Sequence, residues 1–220
     1  MNHYRCKIDP VVETPDYLTL NKMENKLLTG KDFNQHYQTN KFVKLTNELE
    51  NHNNYQFKTG LNVDSIPFNP LGECQPGGIY FCSFKKIPMW LYYTNKPMVY
   101  VRLVTIPDDA FVWIEEDKFK ADRMILSKRQ KIADLEEWKD ESYCLEAVKQ
   151  HYMALQYVIE QTPELCLAAV RKNGCALGYV KQQTLELCLE AVKQNGMALR
   201  YVIEQTPEIK LAAFNQLGLS

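Results

Sequence analysis

The chain has no CxxC or CxxH pair, so its seven cysteines lack the ligand spacing of a zinc knuckle; Cys74 and Cys82 stand too far apart to make one. Their odd number, without an extracellular signature, also argues against a disulfide framework. Apolar runs stop well short of the roughly 20 residues that span a bilayer. The opening MNHYRCKIDPVVETPDY has no apolar signal core. A formal net charge of −1 supplies no global field toward nucleic acid or anionic lipid. Gly77-Gly78 lacks the lysine and helix pattern of a phosphate-cradling loop, and the histidines at 3, 36, 52 and 151 show no nucleophile–base spacing. The expectation is therefore a chain that is not secreted, with no metal, no cofactor, no nucleic-acid partner and no membrane partner.

What the chain does have is a repeat. DESYCLEAVKQHYMALQYVIEQ, TPELCLAAVRKNGCALGYVKQQ and TLELCLEAVKQNGMALRYVIEQ occupy residues 140–161, 162–183 and 184–205, and a fourth copy, TPEIKLAAFNQLGLS, ends at 220. A fixed 22-residue period marks stacked units that bury one another's apolar faces. In the second unit Thr162 is suited to cap a helix and Pro163 to open it. Gly174 reads as the left-handed residue that ends it. Ala176, Leu177, Tyr179 and Val180 then follow at spacings of three and four, so each unit is expected to be a helical hairpin.

Comparison between units separates framework from variable positions. Leu145, Leu167, Leu189 and Leu211 are identical; so are Tyr157, Tyr179 and Tyr201, and the alanines at 147, 169, 191 and 213. The cysteine slot of 144, 166 and 188 becomes Lys210 in the last unit, which reads as a capping helix with a wet outer face. The variable slots point to a protein-binding surface at Gln156, Ile159, Lys181, Arg200 and Ile203.

Residues 1–40 are weakly patterned, with a helix-like stretch at Tyr17–Leu28. From Lys41 strands are expected at Phe42–Thr46, Tyr55–Phe57, Ile79–Phe81, Val99–Ile106, Ala110–Ile114 and Met124–Leu126, with a short helix over Lys85–Tyr93. The basic stretch Lys118–Lys131 reads as a solvated face balanced by the acids of Asp134–Glu141, and Trp138 as an anchor at the join.

The repeat, above all LEAVKQNGMALRYVIEQTPE, resembles short helical repeats of unknown function in mimivirus-type giant viruses. FVKLTNELENHNNYQFKTGLNVDSIPFNPLGECQPGGIYF, with VRLVTIPDDAFVW and KADRMIL, is similar to the domain those viruses place before ankyrin-repeat arrays. The resemblance implies a viral protein acting in a host cell, in its cytoplasm or nucleus, with a host protein as partner. GGIYF followed by a helix and YVRLVTI is also similar to the central block of ADP-ribosyltransferases. That resemblance implies NAD as cofactor, Tyr80 stacking on nicotinamide and His52 on ribose, with Glu115 and its neighbour Glu116 as the nearby candidates for the catalytic carboxylate.

The expected fold class is α+β: an extension over 1–40, a small α+β domain over 41–133, and over 134–220 a short all-α solenoid of 22-residue helical-hairpin repeats closed by a half-repeat at 206–220. The expected function is a non-enzymatic interaction adaptor or scaffold. An ADP-ribosyltransferase-like enzyme and a virion structural component are the alternatives.

Overall fold

The computed structural model of the chain describes residues 25–52, 55–71, 75–93 and 96–219. Cys74 and the part of the expected Tyr17–Leu28 helix before residue 25 lie outside them. In chain order the strands are β1 (Lys26–Thr29), β2 (Phe42–Thr46), β3 (Asn51–His52), β4 (Tyr55–Gln56), β5 (Gly60–Val63), β6 (Ile79–Ser83), β7 (Tyr92–Tyr93), β8 (Lys96–Pro97), β9 (Tyr100–Thr105), β10 (Phe111–Ile114), β11 (Phe119–Ala121), β12 (Arg123–Leu126) and β13 (Gln130–Lys131). Among the described residues nine of these form one antiparallel sheet, ordered β1-β10-β11-β6-β2-β9-β12-β5, with β13 also on β9. β3–β4 and β7–β8 are separate two-stranded hairpins.

The sheet curls back on itself. Asp122 alone separates β11 from β12, yet β11 pairs with β6 and β12 with β9. The path β11-β6-β2-β9-β12 therefore begins and ends on one continuous stretch of chain. Every residue of β2, at the centre of that path, is buried. Phe42 joins an aromatic cluster with Phe33, Phe81 and Phe119, while Val43 and Leu45 belong to a second core on the opposite face. A strand buried on both faces loses the apolar–polar alternation of a half-exposed one. Lys44 is the one charged residue in that strand.

The second core continues without interruption into the repeats. It runs from Val43, Cys82 and Val101 through Trp138 to Ala213. Trp138 is fully buried, donates its indole N–H to the Ile132 carbonyl at 2.7 Å, and stacks on Tyr157 at 5.3 Å between ring centroids.

Before the repeats stands α1 (Gly30–His36); the repeats supply α2 (Glu141–Gln150), α3 (Pro163–Lys172), α4 (Leu185–Gln194) and α5 (Pro207–Leu217). Asp140, Thr162, Thr184 and Thr206 cap α2–α5, each accepting the backbone N–H three residues on. The second limb of each unit is a six-residue 3-10 helix: Tyr152–Tyr157, Gly174–Tyr179 and Gly196–Tyr201.

These findings correct the expected fold class. The largest element of the fold is the nine-stranded sheet, and the tail is not an all-α solenoid of α-hairpins. Spacings of three and four within six residues do not distinguish three residues per turn from 3.6. Extended residues such as Asn173 and Val180, at ψ 121° and 123°, bound the second limb too tightly for an α-helix to develop. The expected Lys85–Tyr93 helix is likewise a 3-10 helix, over Phe84–Trp90, with Pro88 inside it. The end of the expected first helix is a strand instead, because Lys26–Thr29 pairs along its whole length with β10.

Gly174 is also corrected. It does not take the left-handed conformation; it starts the 3-10 helix, and Asn173 caps that helix through the Cys175 N–H at 2.9 Å. A Cβ at Gly174 would lie 2.3 Å from the Ala191 carbonyl oxygen. Glycine is needed here for close approach of the next unit.

Candidate functional site: a lysine-bearing aromatic cavity

β2 and β6 carry Lys44 and Tyr80 into a cavity of about 340 Å³, whose wall also includes His52, Phe57, Cys82, Trp90, Tyr93, Lys96 and Lys118. A smaller recess of about 50 Å³ adjoins it, sharing Lys44, His52, Tyr80 and Tyr93 and adding Asp64. Lys44 is 8% exposed. Its Nζ donates to the Tyr80 carbonyl at 2.8 Å and lies 4.7 Å from the centre of the Phe57 ring. Burial pulls this ammonium down to about 8.

Two lysines of the neighbouring strand segment lie close to the Tyr80 ring. Lys118 lies 4.8 Å and Lys120 5.2 Å from its ring centre, and Lys118 also reaches 5.5 Å from the Trp90 ring. Lys120 is completely buried and donates to the Asn69 and Gln75 carbonyls at 2.7 and 2.9 Å. It thereby holds the loop that leads to Gly77 and Gly78. Those glycines have φ of 90° and 132°, and a Cβ at Gly78 would meet the Lys120 side chain at 2.9 Å. The Pro-Gly-Gly turn is shaped by the lysine it passes over.

The remaining titratable groups of the wall are shaped by burial. Burial pushes the Cys82 thiol up to about 12, with Lys44 and Lys86 opposing weakly, so it is not a thiolate at neutral pH. Burial, helped by Lys44, lowers His52 and keeps its ring neutral. The Tyr93 ring meets it edge-on at 5.4 Å. Asp64 in the adjoining recess accepts the backbone N–H groups of Gly78 and Ile66, at 2.7 and 3.0 Å. Among the described residues no group of three or more His, Cys, Asp or Glu is placed to hold a metal ion.

Of the residues singled out as an enzymatic set, the structure brings Tyr80 and His52 to one cavity. Glu115 is not among the described lining residues; it pairs instead with Lys118 at 3.3 Å. Lys44, Trp90 and Lys118 were not singled out by the sequence. A lysine within the apolar run Phe42–Leu45 was the available signal for the first. The reading of Lys118–Lys131 as a solvated face does not hold at its start, since Lys120 is buried and Lys118 lines the cavity.

The variable repeat positions have different environments. Ile159 and Ile203 are exposed, the latter at 80%. Lys181, the equivalent residue between them, donates to the Val158 and Ile159 carbonyls at 3.0 and 2.7 Å. Gln156 and Arg200 bond to carbonyls three residues back, those of Met153 and Met197. Gly178, in the same slot, is where the Tyr201 ring rests. A ladder that the sequence comparison passed over links the units: Gln161 bridges the Leu155 and Tyr179 carbonyls, and Gln183 the Leu177 and Tyr201 carbonyls. At the end of the row Lys210 is exposed, but Leu211 and Phe214 beside it are exposed as well.

A domain of unknown function, DUF4116, matches residues 162–205, two of the repeat units. In its N-terminal part the chain is similar to proteins of Acanthamoeba polyphaga mimivirus. An uncharacterized protein of that virus is 36% identical over 100 residues, covering 44% of this chain and 72% of the relative. Two putative ankyrin repeat proteins are 34% and 30% identical over 43% and 44% of this chain, which spans 32% and 50% of their lengths. No solved structure matches the chain.

Proposed function

This chain belongs to the family of that uncharacterized mimivirus protein, and from that premise we propose that it is a protein-interaction module whose repeat units carry the contact surface. The exposed apolar side chains of the last units support the reading: Ile203 at 80%, Leu211 at 60% and Met197 at 51%. Large apolar groups held at the surface of rigid units are what a protein partner covers. Similar proteins named for ankyrin repeats, matched in the N-terminal part, support protein interaction in general. The partner in this reading is a host protein.

The test is affinity capture from amoebal lysate with wild type and with Ile203→Asp/Leu211→Asp, both checked for folding. A partner bound by wild type and lost from the double variant supports the reading. An identical set of captured proteins overturns it.

An enzymatic reading has one observation in its favour, the shared cavity of Tyr80 and His52. It predicts NAD turnover that disappears in Tyr80→Ala. Glu115 is held by an ion pair to Lys118, a lysine of the cavity wall.

A further inference from the structure

The cavity in the sheet contains a cation that no described carboxylate neutralises. Lys44 is more than nine-tenths buried, and its described contacts are a carbonyl, a ring face and the neutral groups Cys82 and His52. A buried ammonium is ordinarily matched by a carboxylate, because desolvation of an unmatched charge is costly. Among the described residues lining this cavity none is acidic, whereas two further lysines, Lys96 and Lys118, line it; Lys118 is paired at 3.3 Å with Glu115, which lies outside the described lining. Asp64 lies in the adjoining recess with backbone N–H groups bound to both of its oxygens.

The rest of the wall is aromatic. Tyr80, Trp90, Tyr93 and the neutral His52 surround the space, and the Trp90 indole N–H has no hydrogen-bond partner among the described residues. The volume of about 340 Å³ falls at the lower end of the roughly 300–1,000 Å³ range of small-molecule sites. Flat walls select a planar ring system, and three lysines in the lining against the one carboxylate, Glu115, that pairs with Lys118 suit a dianion better than a single carboxylate.

We propose that this cavity is a binding site for a mononucleotide-sized ligand, with its planar base against the aromatic side chains and its phosphate at Lys44 and Lys118. The site is separate from the repeat surface, and its occupancy does not depend on the protein-interaction reading. Lys44 supplies the buried charge, and Lys118 places a second cation along the Tyr80 and Trp90 rings.

The experiment is a titration of the full chain, followed by tryptophan fluorescence and thermal unfolding, with adenosine and uridine monophosphates, adenosine, inorganic phosphate and benzoate as probes. At least one monophosphate should give a saturable fluorescence change and raise Tm. Adenosine, inorganic phosphate and benzoate should each bind at least tenfold more weakly than that monophosphate. Lys44→Met should weaken the monophosphate at least tenfold. Lys118→Gln, which keeps Lys44 and the strand core intact, should do so several-fold and serves if Lys44→Met fails to fold. Absence of saturable binding by either monophosphate overturns the proposal. So does equal binding of adenosine or benzoate, or unchanged affinity in a folded Lys44→Met or Lys118→Gln protein.

Discussion

Gly174 and Ala191 belong to successive repeat units and approach so closely that a methyl group at Gly174 would stand 2.3 Å from the Ala191 carbonyl oxygen. The Gly174 N–H is bound at 2.6 Å by the Gln194 side chain from the same neighbouring helix. Gly196 repeats the arrangement with Ala213 and Gln216. Gly174→Ala therefore forces two backbones apart. It should cost about 1–3 kcal/mol as overpacking, read as a fall in the urea midpoint at unchanged slope. Equal stability of the variant would show that the units have slack between them.

The glutamine ladder should matter for a different reason. Gln183 takes up the Leu177 and Tyr201 carbonyls and the Ile203 N–H. Gln183→Leu keeps the bulk but gives up these partly exposed bonds, at a cost of about 0.5–1.5 kcal/mol. Chemical denaturation checks it, and amide exchange at Ile203 should accelerate beyond the global change.

Glu50 sits at φ 51°, a left-handed position unusual for glutamate, and is 6% exposed. Burial raises its carboxyl, but Arg102 at 2.7 Å and Arg129 at 2.9 Å outweigh that and hold it below its ordinary value. Arg102 also reaches the Ser127 carbonyl at 2.6 Å, tying the β2–β3 turn to the stretch between β12 and β13. A depressed folded-state value means this stabilisation is present above the ordinary carboxylate range and is lost as pH falls through the folded value. Glu50→Gln leaves Arg102 buried without its counter-ion and should cost about 3–5 kcal/mol at neutral pH. Its acid sensitivity should be correspondingly shallower in a pH series of unfolding curves.

Lys44 works in the opposite direction. Its folded-state value of about 8 lies below the ordinary 10.5, so above pH 8 the unfolded chain holds a proton that the folded protein has released. Stability from this group therefore rises as pH increases through that window, by about 1 kcal/mol between about pH 7.5 and 9. Cys82, raised from 9.0 to about 12, opposes it only above its unfolded value. Lys44→Met should abolish the rise. A wild-type profile that is flat or falling there, and parallel to the variant, would contradict a buried ammonium.

The shared core carries a further expectation. Trp138 joins sheet and repeats in one cluster, so Trp138→Ala should remove about 3–5 kcal/mol. Near- and far-ultraviolet probes of wild type should report one transition, whereas independent halves would give two.

Much of the local structure was legible in the residues. Thr162 announced a helix start, and the repeating leucines, alanines and tyrosines announced a 22-residue unit, because caps and apolar spacing act over a few neighbouring positions. The 3-10 limb was not legible, since six residues are too few for the two helical periods to diverge. Nor was the role of Gly174, which depends on a helix starting eleven residues later. The candidate site was visible only in fragments, as an odd lysine in an apolar strand and a Pro-Gly-Gly turn.

By itself, then, the amino-acid order determined the repeat, the cap that opens its second unit and the position of several strands. Tertiary structure decided that β11 and β12 close the path of the sheet, that one core serves both parts, and that Lys44 and Tyr80, 36 positions apart, meet across adjacent strands. The physical reason is range: hydrogen-bonded turns and capping are settled between near neighbours, whereas the burial of a charge depends on every segment that comes to lie around it.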